Sequence, residues 1–201
     1  MSRPMTLLQM AGAPAVPPPW SESVLVVIDH QGEYQVGKLP LPGVEAAAAE
    51  IGRLLAAARQ AGAPVIHIAH QGAAGGLFDL EGPGGAFLAG IGPAAGETVV
   101  HKRLPNSFAG TTLNDEIAKT GRKALVVAGF MTHMCVAATV RDALDRGYRS
   151  TVVAGATATR DLPEAAGGEG VVSAAALQQA TLAALADRFA TVVAGSDAIP
   201  V

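Results

Sequence analysis

The chain has 201 residues, half of them hydrophobic and 15% charged, with a formal net charge of −3. This balance suits one compact domain with a sizeable core and excludes a charge-rich disordered chain. Lysines and arginines are scattered, so nothing electrostatic favours nucleic acid or an anionic membrane as partner. The single cysteine, Cys135, can form neither an internal disulfide nor a thiolate metal cage, which makes the cytoplasm the expected compartment.

Residues 1–20 contain Pro14, Pro17, Pro18 and Pro19 and lack the continuous apolar run of a signal peptide or membrane span. They are expected to form an irregular arm ahead of a domain over 21–201. Residues 23–29 are an apolar run ending in Asp29, the pattern of a strand buried on both faces. Helical spacing over 44–59 stops near Gly62, and 64–69 is the second strand. Residues 70–97 are glycine-rich and aperiodic, as in a functional loop or lid. A third strand over 98–101 leads into Lys102, followed by a helix over 111–120 and a fourth strand over 123–129. A helix over 136–146, a strand over 150–154, a long helix over 171–188 and a last strand over 190–193 complete the chain.

Strands joined through helices imply parallel pairing and right-handed crossovers. The expected architecture is a three-layer α/β/α sandwich, Rossmann-like, with a six-stranded parallel sheet in the order 3-2-1-4-5-6. That order makes strands 1 and 4 neighbours at the switch point where such sheets collect ligands. Asp29, Lys102 and Cys135 all fall just beyond strand ends on that edge. Cys135 sits at the expected start of a helix, whose N-terminus favours a thiolate. Asp29 closes an apolar strand, where desolvation makes a carboxylate a better base. Lys102 could pair with the carboxylate and favour the thiolate.

Among the histidines, His67 reads as structural and His30 as pointing away from the site by strand alternation. His70 starts the long loop within reach of the site, His133 is a rival base two residues before Cys135, and both are candidate substrate contacts. Asp29, His67 and His70 lack convincing metal spacing, so neither metal nor cofactor is expected. Tyr34, Phe78, Phe87, Phe108 and Met131 are candidate pocket walls, with Phe108 and Met131 expected to touch substrate.

Three segments in order, Val-Val-Ile-Asp29-His30-Gln31, Lys102-Arg-Leu-Pro-Asn-Ser-Phe108 and Gly129-Phe-Met-Thr132-His-Met-Cys135-Val136, resemble the isochorismatase-like cysteine hydrolase superfamily. The resemblance implies Cys135 as nucleophile, Asp29 as proton acceptor and Lys102 as third triad member. It also implies a cis peptide at Phe130–Met131, with the Met131 and Cys135 N–H groups as oxyanion hole. The implied activity is cleavage of an amide, carbamoyl (ureido) or lactam C–N bond in a small molecule through a thioester. The alternatives are an isochorismatase-type vinyl-ether hydrolase, or a non-catalytic binding protein on the same fold. The chain departs from the nicotinamidases of the superfamily, whose Asp-x-His metal motif is not supplied by His67-Ile-Ala-His70-Gln71. It departs again at Gly155, where many relatives have an aspartate. A homo-oligomer is expected, dimer or tetramer.

Overall fold

The computed structural model describes residues 4–14 and 16–201. Six parallel strands form one sheet in the order β3-β2-β1-β4-β5-β8: β1 Ser23–Ile28, β2 Val65–His70, β3 Thr98–Lys102, β4 Ala124–Phe130, β5 Arg149–Ala158 and β8 Ala190–Val193. This is the expected order. The central strands β1 and β4 are buried along their whole length, which is why they read as unbroken apolar runs.

The alternation of side chains divides the core into two. Leu25, Val27 and Val126 face helix α2 (Val44–Gln60), which presents Ile51, Leu54, Leu55 and Ala58. Val24, Val26, Ile28 and Val127 face the opposite layer, built from α3 (Leu113–Lys119), α4 (Ala137–Asp145) and α5 (Ala174–Arg188). Leu113, Ile117, Val140 and Leu185 supply that layer's apolar contacts.

Four local features differ from the sequence expectation. The arm is not wholly irregular, because Leu7–Met10 forms a short helix (α1) with a Thr6/Gln9 capping box, held to α5 by Leu7 N–H donating to Asp187. Residues 1–3 and 15 of that arm lie outside the described residues. Strand β5 runs on to Ala158, four residues beyond its expected end, past an irregularity in its pairing with β4. The helix expected from 171 begins at Ala174. Val171–Val172 (β7) instead pairs antiparallel with Leu162–Pro163 (β6), and Ser173 caps the helix by accepting from Ala176 N–H. Two β-branched residues followed by a serine favour a strand and an N-cap over a helical start. Finally, α4 is preceded by one π-helical turn, Thr132–Val136, which carries Cys135.

His30 and His67 are both fully buried, with His67 Nδ1 3.1 Å from His30 Nε2 and His67 Nε2 2.8 Å from Glu97 Oε2. Arg59 holds Glu97 in turn, with Nε at 2.8 Å and Nη2 at 2.9 Å from its two oxygens. Burial, reinforced by His67, pushes the His30 imidazole down to about 3. The unfolded chain therefore takes up a proton on His30 near pH 6.5 while the folded chain does not, and folding stability falls as pH drops below 6.5. One such histidine costs about 1.4 kcal/mol per pH unit in that window. In urea unfolding between pH 7 and pH 5, His30→Gln should show a shallower loss of stability than wild type; parallel slopes would contradict the buried neutral imidazole.

Candidate active site

The turn after β1 is the first determinant of the site. Asp29 adopts φ 49, a left-handed conformation that aspartate tolerates better than most residues, and Gln31 N–H closes on its carbonyl at 2.8 Å. The partner strand is fitted to this turn. Gly129, paired with Ile28, has φ +113, and a Cβ there would lie 1.9 Å from the Ile28 carbonyl oxygen. Only glycine lets β1 and β4 approach so closely at the switch point.

Lys102 ends β3, two strand spacings from β1, or roughly 10 Å. Its aliphatic stem crosses beside His70, its register partner in β2, to reach Asp29. The ammonium lies 2.6 Å from Asp29 Oδ2, and both side chains are fully shielded from solvent. The same Nζ is 3.3 Å from Cys135 Sγ and 3.2 Å from His70 Nδ1. The Asp29 contact is a buried ion pair. The Phe130–Met131 peptide is cis, and the Met131 carbonyl accepts from both Met134 and Val136 N–H.

Burial raises the Asp29 carboxyl above the usual range, and Lys102 pulls it partly back. Burial also pushes the Cys135 thiol up to about 12, with Asp29 repelling the thiolate and Lys102 opposing that effect. This corrects the expectation of a thiolate favoured by a helix N-terminus. Cys135 lies within the π-turn and is only 5% exposed, so loss of hydration outweighs any help from backbone dipoles. The resting centre is a neutral thiol beside an ion pair.

The other predicted residues divide. Tyr34 is 2% exposed, with its ring 5.1 Å from Phe78 and 5.6 Å from Phe130. Burial, Asp29 and Cys135 all push its hydroxyl upward, which keeps it a neutral donor beside the centre. Phe78 also meets the His70 ring at 5.1 Å, whereas Phe87 packs on His30 and His67. Met131 is buried in the α2-side core next to Phe130. His133 is engaged elsewhere, its Nδ1 2.5 Å from Thr159 Oγ1. Phe108 is a correction: it stacks on Tyr148 at 6.0 Å with the Arg146 guanidinium 4.8 Å from its ring, packed in the α3/α4-side core. At Gly155 a Cβ would lie 2.9 Å from the Ala194 carbonyl oxygen, which leaves no room for an aspartate in this backbone.

Two residues were missed. Gln31, fully buried, donates to the His70 and Gly85 carbonyls and accepts from His70 N–H; alternation from Asp29 was the available signal. Arg160 follows β5 closely enough for its charge to act on both His133 and Tyr34, and its buried Nε has no partner among the described residues. It was overlooked because β5 was expected to stop earlier.

With the fold and site in place, comparison with known proteins is decisive. The isochorismatase domain family matches residues 23–197. The chain belongs to the isochorismatase family. A crystal structure of an isochorismatase from Pseudomonas putida KT2440 superposes with a TM-score of 0.92 at 44% identity, covering 98% of this chain and 100% of that one. A secreted isochorismatase effector of Verticillium dahliae is 39% identical over 189 residues, 94% of this chain and 96% of the relative. The maleamate amidohydrolase of Pseudomonas putida is 35% identical over 146 residues, 64% of this chain and 68% of the relative. Family membership does not fix the compartment, since one of these relatives is secreted. No helix among the described residues is long and apolar enough to cross a membrane.

Two outcomes follow. Alkylation of Cys135 by iodoacetamide should be slow at pH 7 and climb about tenfold per pH unit past pH 10, as a thiol near 12 requires; a plateau by pH 9 would contradict the buried neutral thiol. Phe108→Ala should lower unfolding free energy by about 3–5 kcal/mol while leaving KM of the folded enzyme unchanged; a raised KM would return Phe108 to the pocket.

Proposed function

We propose that the chain is a cysteine-dependent amidohydrolase that cleaves a C–N bond of a small amide, ureido or lactam compound through a thioester on Cys135. The observation that carries this reading is one buried ammonium touching both a carboxylate and the lone thiol. A solvent-free carboxylate with raised proton affinity suits a general base, and a thiol beside it suits the nucleophile. The amidohydrolase among the relatives supports the same bond type.

On attack, the thiol proton passes to Asp29 as Sγ bonds to the substrate carbonyl carbon. Lys102 stabilises the sulfur as it gains negative charge, without giving up a proton. The Met131 and Cys135 N–H groups are assigned to the tetrahedral oxyanion. Collapse breaks the C–N bond, and the amine leaves with the proton held by Asp29. Water then attacks the thioester, gives its proton to Asp29, and releases the acid; that proton returns to sulfur. Arg160, half-buried with a buried Nε that has no partner among the described residues, suits a carboxylate elsewhere on the substrate, which a guanidinium can hold through two parallel N–H bonds.

A panel of neutral and carboxylate-bearing amides, ureido acids and lactams tests this reading. Cys135→Ala, Asp29→Asn and Lys102→Met should each lose several orders of magnitude in kcat, and the losses should not add, because the three act as a unit. Arg160→Ala should raise KM at least about tenfold for carboxylate-bearing substrates and leave neutral amides unchanged. Near wild-type turnover by Cys135→Ser would remove the thioester.

A further inference from the structure

Lys102 must divide three N–H groups among unequal acceptors. In a site shut off from water a carboxylate attracts an ammonium far more strongly than a neutral thiol does, and sulfur is a weak acceptor. Left to those two groups, the ammonium would rotate its donors onto both Asp29 oxygens and leave Cys135 without one. The third contact, 3.2 Å to His70 Nδ1, opposes that collapse.

His70 is held for such a role from two directions. Its backbone N–H donates to Gln31 Oε1 at 2.8 Å and its carbonyl accepts from Gln31 Nε2 at 3.0 Å, so one buried amide grips both polar groups of the residue. Gln31 Nε2 also donates to the Gly85 carbonyl at 2.8 Å, tying this grip to the glycine-rich segment. The ring rests against Phe78, and its neighbour Gln71 closes on Lys102 by donating its N–H to the Lys102 carbonyl at 2.8 Å.

We propose that His70 is a positioning residue of the same centre: its Nδ1 lone pair holds one N–H of Lys102 and thereby keeps another on Cys135. To accept there, Nδ1 must be unprotonated and the ring proton must sit on Nε2. The charged group facing the ring is Lys102 from β3, whose ammonium also touches Asp29 from β1 and Cys135 from the π-turn. Burial and then the Lys102 charge push the imidazole down to about 4, so the accepting form persists through neutral pH. The catalytic consequence rests on the hydrolase reading above, whereas the tautomer and its effect on the thiol do not.

Long-range 1H–15N spectra of wild-type protein should show His70 as the neutral Nε2–H tautomer from pH 8 to below pH 5. In Lys102→Met its titration should move up towards the ordinary value. An Nδ1–H tautomer, or titration near pH 6.5 in wild type, would overturn the proposal without requiring any variant to fold. Iodoacetamide labelling of Cys135 at pH 9 should slow about fivefold to tenfold in His70→Phe, because a thiol that loses its donor gains roughly a unit of pKa. His70→Asn, which keeps a side-chain acceptor, should recover to within about twofold. On an active substrate, His70→Phe should lower kcat with KM held; raised KM at unchanged kcat would make His70 a substrate contact and defeat the positioning role. Spectra and labelling as described, in a protein that hydrolyses none of the panel, would sink the hydrolase reading and leave His70 standing.

Discussion

The structure is organised around an ion pair that water cannot reach. Dehydrating the Asp29 carboxylate and the Lys102 ammonium costs several kcal/mol for each ion, and their mutual attraction offsets this only if the geometry is held. Replacing such a pair with apolar side chains is often neutral or stabilising, so packing alone does not explain its presence. What it does provide is a carboxylate and a cation beside one sulfur, in a medium where each interaction is strong. The surrounding features serve that arrangement: the left-handed turn at Asp29, the close approach at Gly129, the π-turn at Cys135 and the Gln31 grip on His70.

The sheet explains why residues so distant in sequence can do this. In the order β3-β2-β1-β4-β5-β8, β1 and β4 are adjacent where the crossovers diverge, so Asp29 and the turn after β4 meet at the crevice. Lys102 starts two strands out from β1, beyond β2, and relies on its four-carbon stem. A shorter cation at the end of β3 would stop near His70. A lysine path from β3 to β1 passes over the end of β2, which places His70, the register partner of Lys102, against the ammonium.

How much of this could be read from the sequence follows the same division. Apolar runs ending in Asp29 and in the turn before Cys135, with the short Thr98–Lys102 strand between them, expose the sheet order and bring Asp29, Lys102 and Cys135 to one edge, because a buried parallel strand has a one-dimensional signature. The glycine-rich segment has no such signature. Its placement depends on Glu33 accepting from Phe78 N–H, on Gly32 and Glu33 N–H donating to Ala86 and Gly84, and on Gln31, all tertiary contacts. Phe108 was misplaced for a related reason. Proximity in sequence to Lys102 suggested the pocket, but Ser107 N–H is anchored to Thr139 Oγ1 on α4, and that anchor accompanies a ring packed against Tyr148 and Arg146. Arg160 was hidden by the length of β5, since the continuation past Ala154 opens with Gly155, which reads as the end of a strand.

The thiol shows most clearly why sequence position is an incomplete guide to reactivity. A cysteine just before a helix invites the inference of a stabilised thiolate, yet three contributions compete at Cys135: backbone dipoles, the Lys102 charge and dehydration. Dehydration is the largest, and the neighbouring carboxylate adds to it. A permanently formed thiolate at this site would face Asp29 across a dry gap, two anions sharing one cation. Holding the proton on sulfur at rest avoids that repulsion. On the proposed reading, the anion forms only as sulfur attacks a carbonyl, with Asp29 neutralised by the same proton. Low exposure and a raised thiol are therefore compatible with the proposed nucleophile, because a proton passed from Cys135 to Asp29 would leave the net charge of the pocket constant.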